Sequence, residues 1–299
     1  MDYHPDLEVQ PETVSPNLQC IKEIIGIYHS NFFYFGAAFL PPVLFAYLIH
    51  AGADSLTIST LHGHSFRGGS LSLATAAQAA VFRYGGYTLA AVIFGLISGG
   101  VASAVRQIRA GAQRPPFEAA LRESKARALP IAISSIVDLF GSFFGVVICV
   151  VLSMSMVLKF GVSSKYALWL GWGIMAFYLA VFSRWMLSIP VLMEEGGGVM
   201  KSFVRSQQLA QNFTPALVLL TAHAVIAGYF AAKIPYYLFG FAARHLELPG
   251  WSGWIPFVLS FVFVAWTEPV FFIGCAEVYF SARENELSPQ GQGGEYGLQ

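Results

Sequence analysis

The sequence predicts an all-α fold, a polytopic membrane helical bundle of about six transmembrane helices with amphipathic helices at the interface. Three observations predict it. Of 299 residues, 56% are hydrophobic and only 11% are charged, against about 25% charged in an ordinary soluble domain. That is too little charge to cover a water-facing surface, so lipid must solvate part of the chain. Six apolar stretches each approach or exceed the ~20 residues a helix needs to cross a ~30 Å hydrocarbon core. Between several of them, apolar residues recur at helical spacing with charges on the other faces.

The six stretches are 32–50, 84–105, 129–158, 166–193, 213–240 and 254–281. Those longer than 25 residues imply tilt or extension beyond the lipid. The first carries Pro41-Pro42 at its middle. Two readings fit it: a kinked span whose freed carbonyls are satisfied by neighbouring helices, or two re-entrant half-helices. Residues 159–165 form a short turn between the third and fourth spans. The tails, 1–16 and 285–299, are rich in Pro, Gly, Gln and Glu and are expected to be disordered. The start is acidic and proline-containing, unlike a cleavable signal peptide, so the first span is expected to direct insertion.

Basic residues orient the bundle. With the N-terminus inside, eleven fall on the cytoplasmic side (Arg184 among them, in the inner half of the fourth span) and six outside. Both termini are then cytoplasmic. Most of the bias comes from Arg106, Arg109, Arg114, Arg122, Lys125 and Arg127 between the second and third spans. This basic loop suits anionic lipid headgroups, or serves only to set topology. Tyr166, Trp169, Trp172, Tyr236, Tyr237, Trp251 and Trp254 gather at the outer boundary.

Three amphipathic lead-ins precede spans. One follows Pro115-Pro116 from Phe117, one follows Gly196, Gly197 and Gly198 from Val199, and one is CIKEIIGIYHSNFF from Cys20. Aligned at Ser124 and Ser206, the first two match in character, and Asn31-Phe32 resembles Asn212-Phe213. The reading is three repeats within 17–284, each an interfacial helix followed by a two-helix hairpin. The alternative is that any amphipathic lead-in to a span looks alike.

Three passages carry a resemblance: RAGAQRPPFEAALRESKARALP, RWMLSIPVLMEEGGGVMKSFVRSQQLAQN and IKEIIGIYHSNFFYF. Together they resemble the membrane domain of bacterial glycerophosphodiester phosphodiesterases and related stand-alone membrane proteins. The matching features are Pro190, Val191, Glu194 or Glu195, the three glycines, Arg205 and Ser206. The soluble catalytic barrel of that family has no counterpart here. The resemblance therefore implies a membrane module of the bacterial cytoplasmic membrane without hydrolase activity.

Charged groups inside spans are costly and are the first functional candidates. Counted from the inner ends of their spans, Asp138, Arg184 and His223 lie roughly 15 Å deep, and Glu268 slightly deeper. They are expected at one level, with Arg184 paired to Asp138 or Glu268. Two readings fit: a proton-coupled or polar-substrate site, or a structural ion pair fixing helix register. Glu277 and Lys233 are expected to snorkel to the interfaces.

His62-x-His64 lacks a third ligand, so no metal is expected. Cys20, Cys149 and Cys275 read as packing residues. The stripes Gly95, Gly99, Ser103 and Gly141, Gly145 read as helix-packing faces within the chain. No nucleophile elbow, HExxH or P-loop pattern appears, and no cofactor is implied. A formal net charge of zero points away from nucleic acid. The leading expectation is a non-catalytic module whose partners are membrane lipids. A small transporter and a membrane-embedded lipid enzyme are the alternatives.

Overall fold

The computed structural model describes residues 15–65, 73–161, 163–245 and 254–287. The expectations for most of both tails, for Trp251 and for Arg67 lie outside these residues. Among the described residues every regular element is helical: α1 (Pro16–Ser30), α2 (Phe32–Ser65), α3 (Leu73–Arg109), α4 (Phe117–Ala126), α5 (Ala128–Phe160), α6 (Ser164–Phe182), α7 (Ser188–Glu194), α8 (Val199–Ala210), α9 (Thr214–His245) and α10 (Trp254–Leu287), with 3-10 turns at Ser183–Trp185 and Gln211–Phe213.

Six helices are long. Four stretches are long and apolar enough to cross a membrane: Ala77–Arg109, Trp169–Glu194, Val199–Ala242 and Trp254–Leu287. The other two long helices, α2 and α5, contribute the shorter apolar stretches Phe32–Ala46 and Ala128–Gly141. The order short helix, long helix, long helix occurs three times, beginning at α1, α4 and α8, with α7 added after α6.

Local chemistry sets the boundaries. Pro16 occupies the first turn of α1, where a missing N–H costs nothing, and Ser15 caps it by accepting from the Leu18 N–H. Gly161 ends α5 in the left-handed region, at φ +61°, where a Cβ would be strained. Gly196 and Gly197, at φ +71° and +92°, reverse the chain between α7 and α8. Pro41 and Pro42 lie inside a continuous α2. The helix therefore runs through the proline pair and on to Ser65, past the expected limit at residue 50, carrying His62 and His64 within it.

The fourth span departs most from expectation. In place of one helix over 166–193, α6 stops at Phe182, a 3-10 turn follows, and α7 restarts at Ser188. Pro190 favours a break here, although Pro41 and Pro42 lie inside a continuous helix. Its ring would clash with the Met186 carbonyl and it lacks the N–H that would bond there. Placed in the first turn of α7, it loses nothing. The rest of α7 is enclosed by protein: Ile189, Val191, Leu192 and Met193 are all buried.

The core lies toward one end of the bundle, built on Phe35, Phe39, Val101, Ile131, Leu217 and Ile273. The small-residue stripes pack within the chain. A Cβ on Gly99 would lie 2.6 Å from Ser124 Oγ, and Gly141 and Gly145 admit the rings of Phe182 and Tyr178. Large apolar side chains such as Phe33, Phe144, Leu158, Trp169 and Phe177 point outward. An apolar exterior of this kind is what a lipid solvent accepts and water does not.

Candidate functional site: an ion-paired platform and a cavity beside the broken span

α1, α4, α7 and α8 gather around the ends of α3 and α10. Charged side chains converge there. Arg106 on α3 binds Glu123 of α4 at 2.7 Å and Glu194 of α7 at 3.1 Å. The Ser103 hydroxyl donates to Glu123 at 2.6 Å. That bond, reinforced by the Arg106 guanidinium, holds the Glu123 carboxyl below its ordinary range. Arg109, one turn on, pairs with the fully buried Glu277 and with Glu284 at 2.5 Å, both from α10; Glu23 of α1 lies 3.9 Å away.

Arg205 on α8 reaches Glu195 at 3.2 Å and Glu286 at 2.5 Å. Arg283 also reaches Glu195, at 3.3 Å, and the Tyr279 hydroxyl donates to the same carboxylate. Arg127, at the α4–α5 junction, donates to the Leu192 and Met193 carbonyls, closing the C-terminal turn of α7. Ser124 donates to the Leu96 carbonyl at 2.5 Å and Ser206 to the Arg184 carbonyl. The two serines that align in sequence thus do the same job, each tying a short helix to a long one or its end. Cys20 is buried beside this network, and burial pushes its thiol up to about 12. It stays protonated and unreactive at neutral pH.

The structure divides the six basic residues of the inner loop. Arg106, Arg109 and Arg127 are turned inward onto carboxylates and carbonyls. Arg114, Arg122 and Lys125 are exposed, and among the described residues none of the three makes an ion pair. Glu277 does not snorkel: it is enclosed and held by Arg109.

The expected intramembrane layer is not assembled as one cluster. Because the fourth span breaks, Arg184 falls on the 3-10 turn at the end of α6 and is exposed. Among the described residues it pairs with neither Asp138 nor Glu268. Asp138 on α5 faces α7, with Ser188 Oγ 3.5 Å from its Oδ2. Glu268 on α10 lies against α9, where a Cβ on Gly228 would sit 3.2 Å from its Oε1. His223 on α9 has an enclosed Nε2 that meets no hydrogen-bond partner among the described residues.

Asp138 instead opens into a cavity of about 240 Å³ bounded by α3, α5, α7, α10 and the end of α6. Ser98 and Ser135 also line it, with Phe94, Phe182 and Phe272 among its walls. Among the described residues no cluster of three or more His, Cys, Asp or Glu is arranged to hold a metal ion. Sequence reasoning missed the carboxylates that organise the platform, Glu23, Glu123, Glu284 and Glu286. Their only sequence signal is acids within a few residues of the bases at the inner ends of spans. Compared with protein families, curated proteins and solved structures, the chain matches none.

Proposed function

We propose that this chain is a multi-pass protein of the bacterial cytoplasmic membrane, with both termini cytoplasmic. It acts there as a lipid-interacting module without catalysis of its own. The observation that carries the reading is the division among the basic residues of the inner loop. Three are committed to internal partners, while Arg114, Arg122 and Lys125 are exposed on α4 and the turn before it. α4 has an exposed charged side, and Ala120 and Ser124 are buried on its other side. A helix held at this height by Arg106 and Ser124 presents its free bases to headgroups. The likeness to the membrane domain of bacterial glycerophosphodiester phosphodiesterases belongs to the same proposal and supplies its bacterial setting.

Each basic residue near an anionic surface contributes about 1 kcal/mol at moderate salt. Glu118, exposed on the same helix, subtracts from the sum, leaving about 2 kcal/mol. The test is a comparison of phosphatidylglycerol with phosphatidylcholine on the purified protein in dodecylmaltoside. Bound lipids are counted by native mass spectrometry. The wild type should retain phosphatidylglycerol preferentially, less so in high salt, and R114Q/R122Q/K125Q should lose the preference. A triple variant that keeps the wild-type preference would overturn the docking reading. Reporter fusions at each terminus test the orientation separately.

A further inference from the structure

The cavity at Asp138 lies beside the break in the fourth span. Its lining takes in the end of α6 at Phe182, the turn at Met186 and the start of α7 at Ile189, a four-then-three spacing that keeps one face of the span on the cavity across the break. Irregular backbone deep in a membrane protein persists where it is buried in protein or lines a cavity. Discontinuous helices recur at the binding sites of small solutes in such proteins. An acidic side chain facing the bundle interior marks a pathway or a ligand position by the same energetic argument.

The chemistry of the walls narrows the ligand. The one charged residue in the lining is an acid, which disfavours anions. The hydroxyls of Ser98 and Ser135 add two oxygens, short of the six to eight that a hard divalent cation requires. Ser135 already donates to the Ile131 carbonyl at 2.8 Å, so its remaining role is to accept. The other surface is dominated by aromatic rings. Phe94 and Phe272 stack with centroids 6.2 Å apart and 9° between planes. Phe271 meets Phe272 edge-on at 5.4 Å. Stacking uses one face of each ring, so the outer face of Phe94 is the one left to attract a cation through its quadrupole, and the other rings supply apolar wall. The volume, about 240 Å³, falls below the ~300–1,000 Å³ of sites for drug-sized molecules. The ligand is therefore expected to be smaller than such molecules.

We infer that this cavity binds a small organic cation, an alkylammonium or quaternary ammonium ion, with Asp138 as its counter-charge and Phe94 and Phe272 as its walls. Ser98 and Ser135 accept from any N–H the ligand carries. The inference is independent of headgroup docking at α4, which lies on other residues.

The test uses the full chain in dodecylmaltoside micelles and three probes: choline, ethylammonium, and 3,3-dimethylbutan-1-ol, the uncharged isostere of choline. Isothermal titration at constant ionic strength should show binding of choline or ethylammonium at least ten-fold tighter than the isostere. D138N should weaken the cation at least ten-fold while leaving the isostere unchanged. F94L keeps an apolar wall and removes a ring face, and should weaken choline several-fold. Should D138N fail to fold, judged by helicity, the isostere comparison and F94L still decide. Equal binding of choline and its isostere would reduce the site to an apolar cavity. Failure of both cations to bind the folded wild type, a response to sodium unmatched by either, or unchanged affinity in folded D138N would overturn the inference.

Discussion

Arg109 is the cation that meets the buried Glu277 of α10, and its replacement should be the most damaging of the charge changes. Its side chain is 23% exposed, while that of Glu277, which it contacts, is 1% exposed. Removing the cation strands a buried carboxylate, a loss of about 3–5 kcal/mol for a buried pair broken from one side. Glu23 and Glu284 are 39% and 66% exposed. Water screens them, so each contributes about 0–1 kcal/mol. The consequences are unequal. R109M should cost about 3–5 kcal/mol and E284Q less than about 1 kcal/mol. E277Q should fall between them, because Arg109 keeps two acids and some water. In R109M/E277L neither charge is left alone, and replacing a buried pair by apolar groups is often neutral, so most of the R109M loss should return. The assay is unfolding by SDS in dodecylmaltoside micelles, followed by far-UV helicity. If R109M and E284Q shift the midpoint equally, or the double variant is no better than R109M, the burial argument is wrong.

Two further outcomes follow from the same geometry. G99A places a methyl 2.6 Å from Ser124 Oγ and 3.2 Å from Ile131 and the Met193 sulfur; overpacking there should cost about 1–3 kcal/mol, and an unchanged SDS midpoint would show that α4 can shift. Glu123 titrates below its ordinary value of 4.5, so its contribution is complete above that value and is lost as pH falls through the lower folded value. Acid titration of the wild type should therefore show a loss of midpoint below pH 4.5 that E123Q lacks, and parallel curves would exclude Glu123 as its source.

Periodicity and apolar length made the helices readable, because both are local properties of the chain. The amphipathic lead-ins emerge as α1, α4 and α8 for the same reason. What periodicity does not encode is which long-range partner each charge meets. Arg109 and Glu277 are separated by 168 positions, and nothing in either neighbourhood names the other. Glu277 was expected at the interface because depth was counted along an isolated helix. α1 and α3 enclose that stretch of α10 and replace water by a guanidinium. Arg184 was expected near mid-membrane by the same counting, which assumes an unbroken span. The signal against that was present in Pro190, four residues after Met186. A proline near the end of an apolar run can equally kink a helix, cap a new one or end it, and only packing decides. The contact of Asp138 with Ser188, and the cavity beside it, depend on how that stretch packs against its neighbours and could not be read before it.

The break also makes the two aligned serines unequal, which gives a sharper test than either alone. Ser124 and Ser206 are both fully buried, and each donates to a main-chain carbonyl. The Leu96 carbonyl lies inside the continuous α3, where a helix already gives it a backbone donor; Ser124 uses its second lone pair. S124A should therefore cost about 0.5–1.5 kcal/mol, the net value of one hydrogen bond. The Arg184 carbonyl lies on the 3-10 turn. Among the described residues no backbone N–H outside the helices reaches it, and Ser206 is its donor. S206A leaves an acceptor without a partner, at about 1–3 kcal/mol. It should also loosen the turn that places Phe182 and Met186 on the cavity wall. Measured side by side, S206A should lower the SDS midpoint more than S124A. It should also speed hydrogen–deuterium exchange across residues 183–189, while S124A leaves that segment unchanged. Equal midpoints with equal exchange would mean that water or a rearranged turn satisfies the Arg184 carbonyl. The fourth span would then owe its break to Pro190 alone.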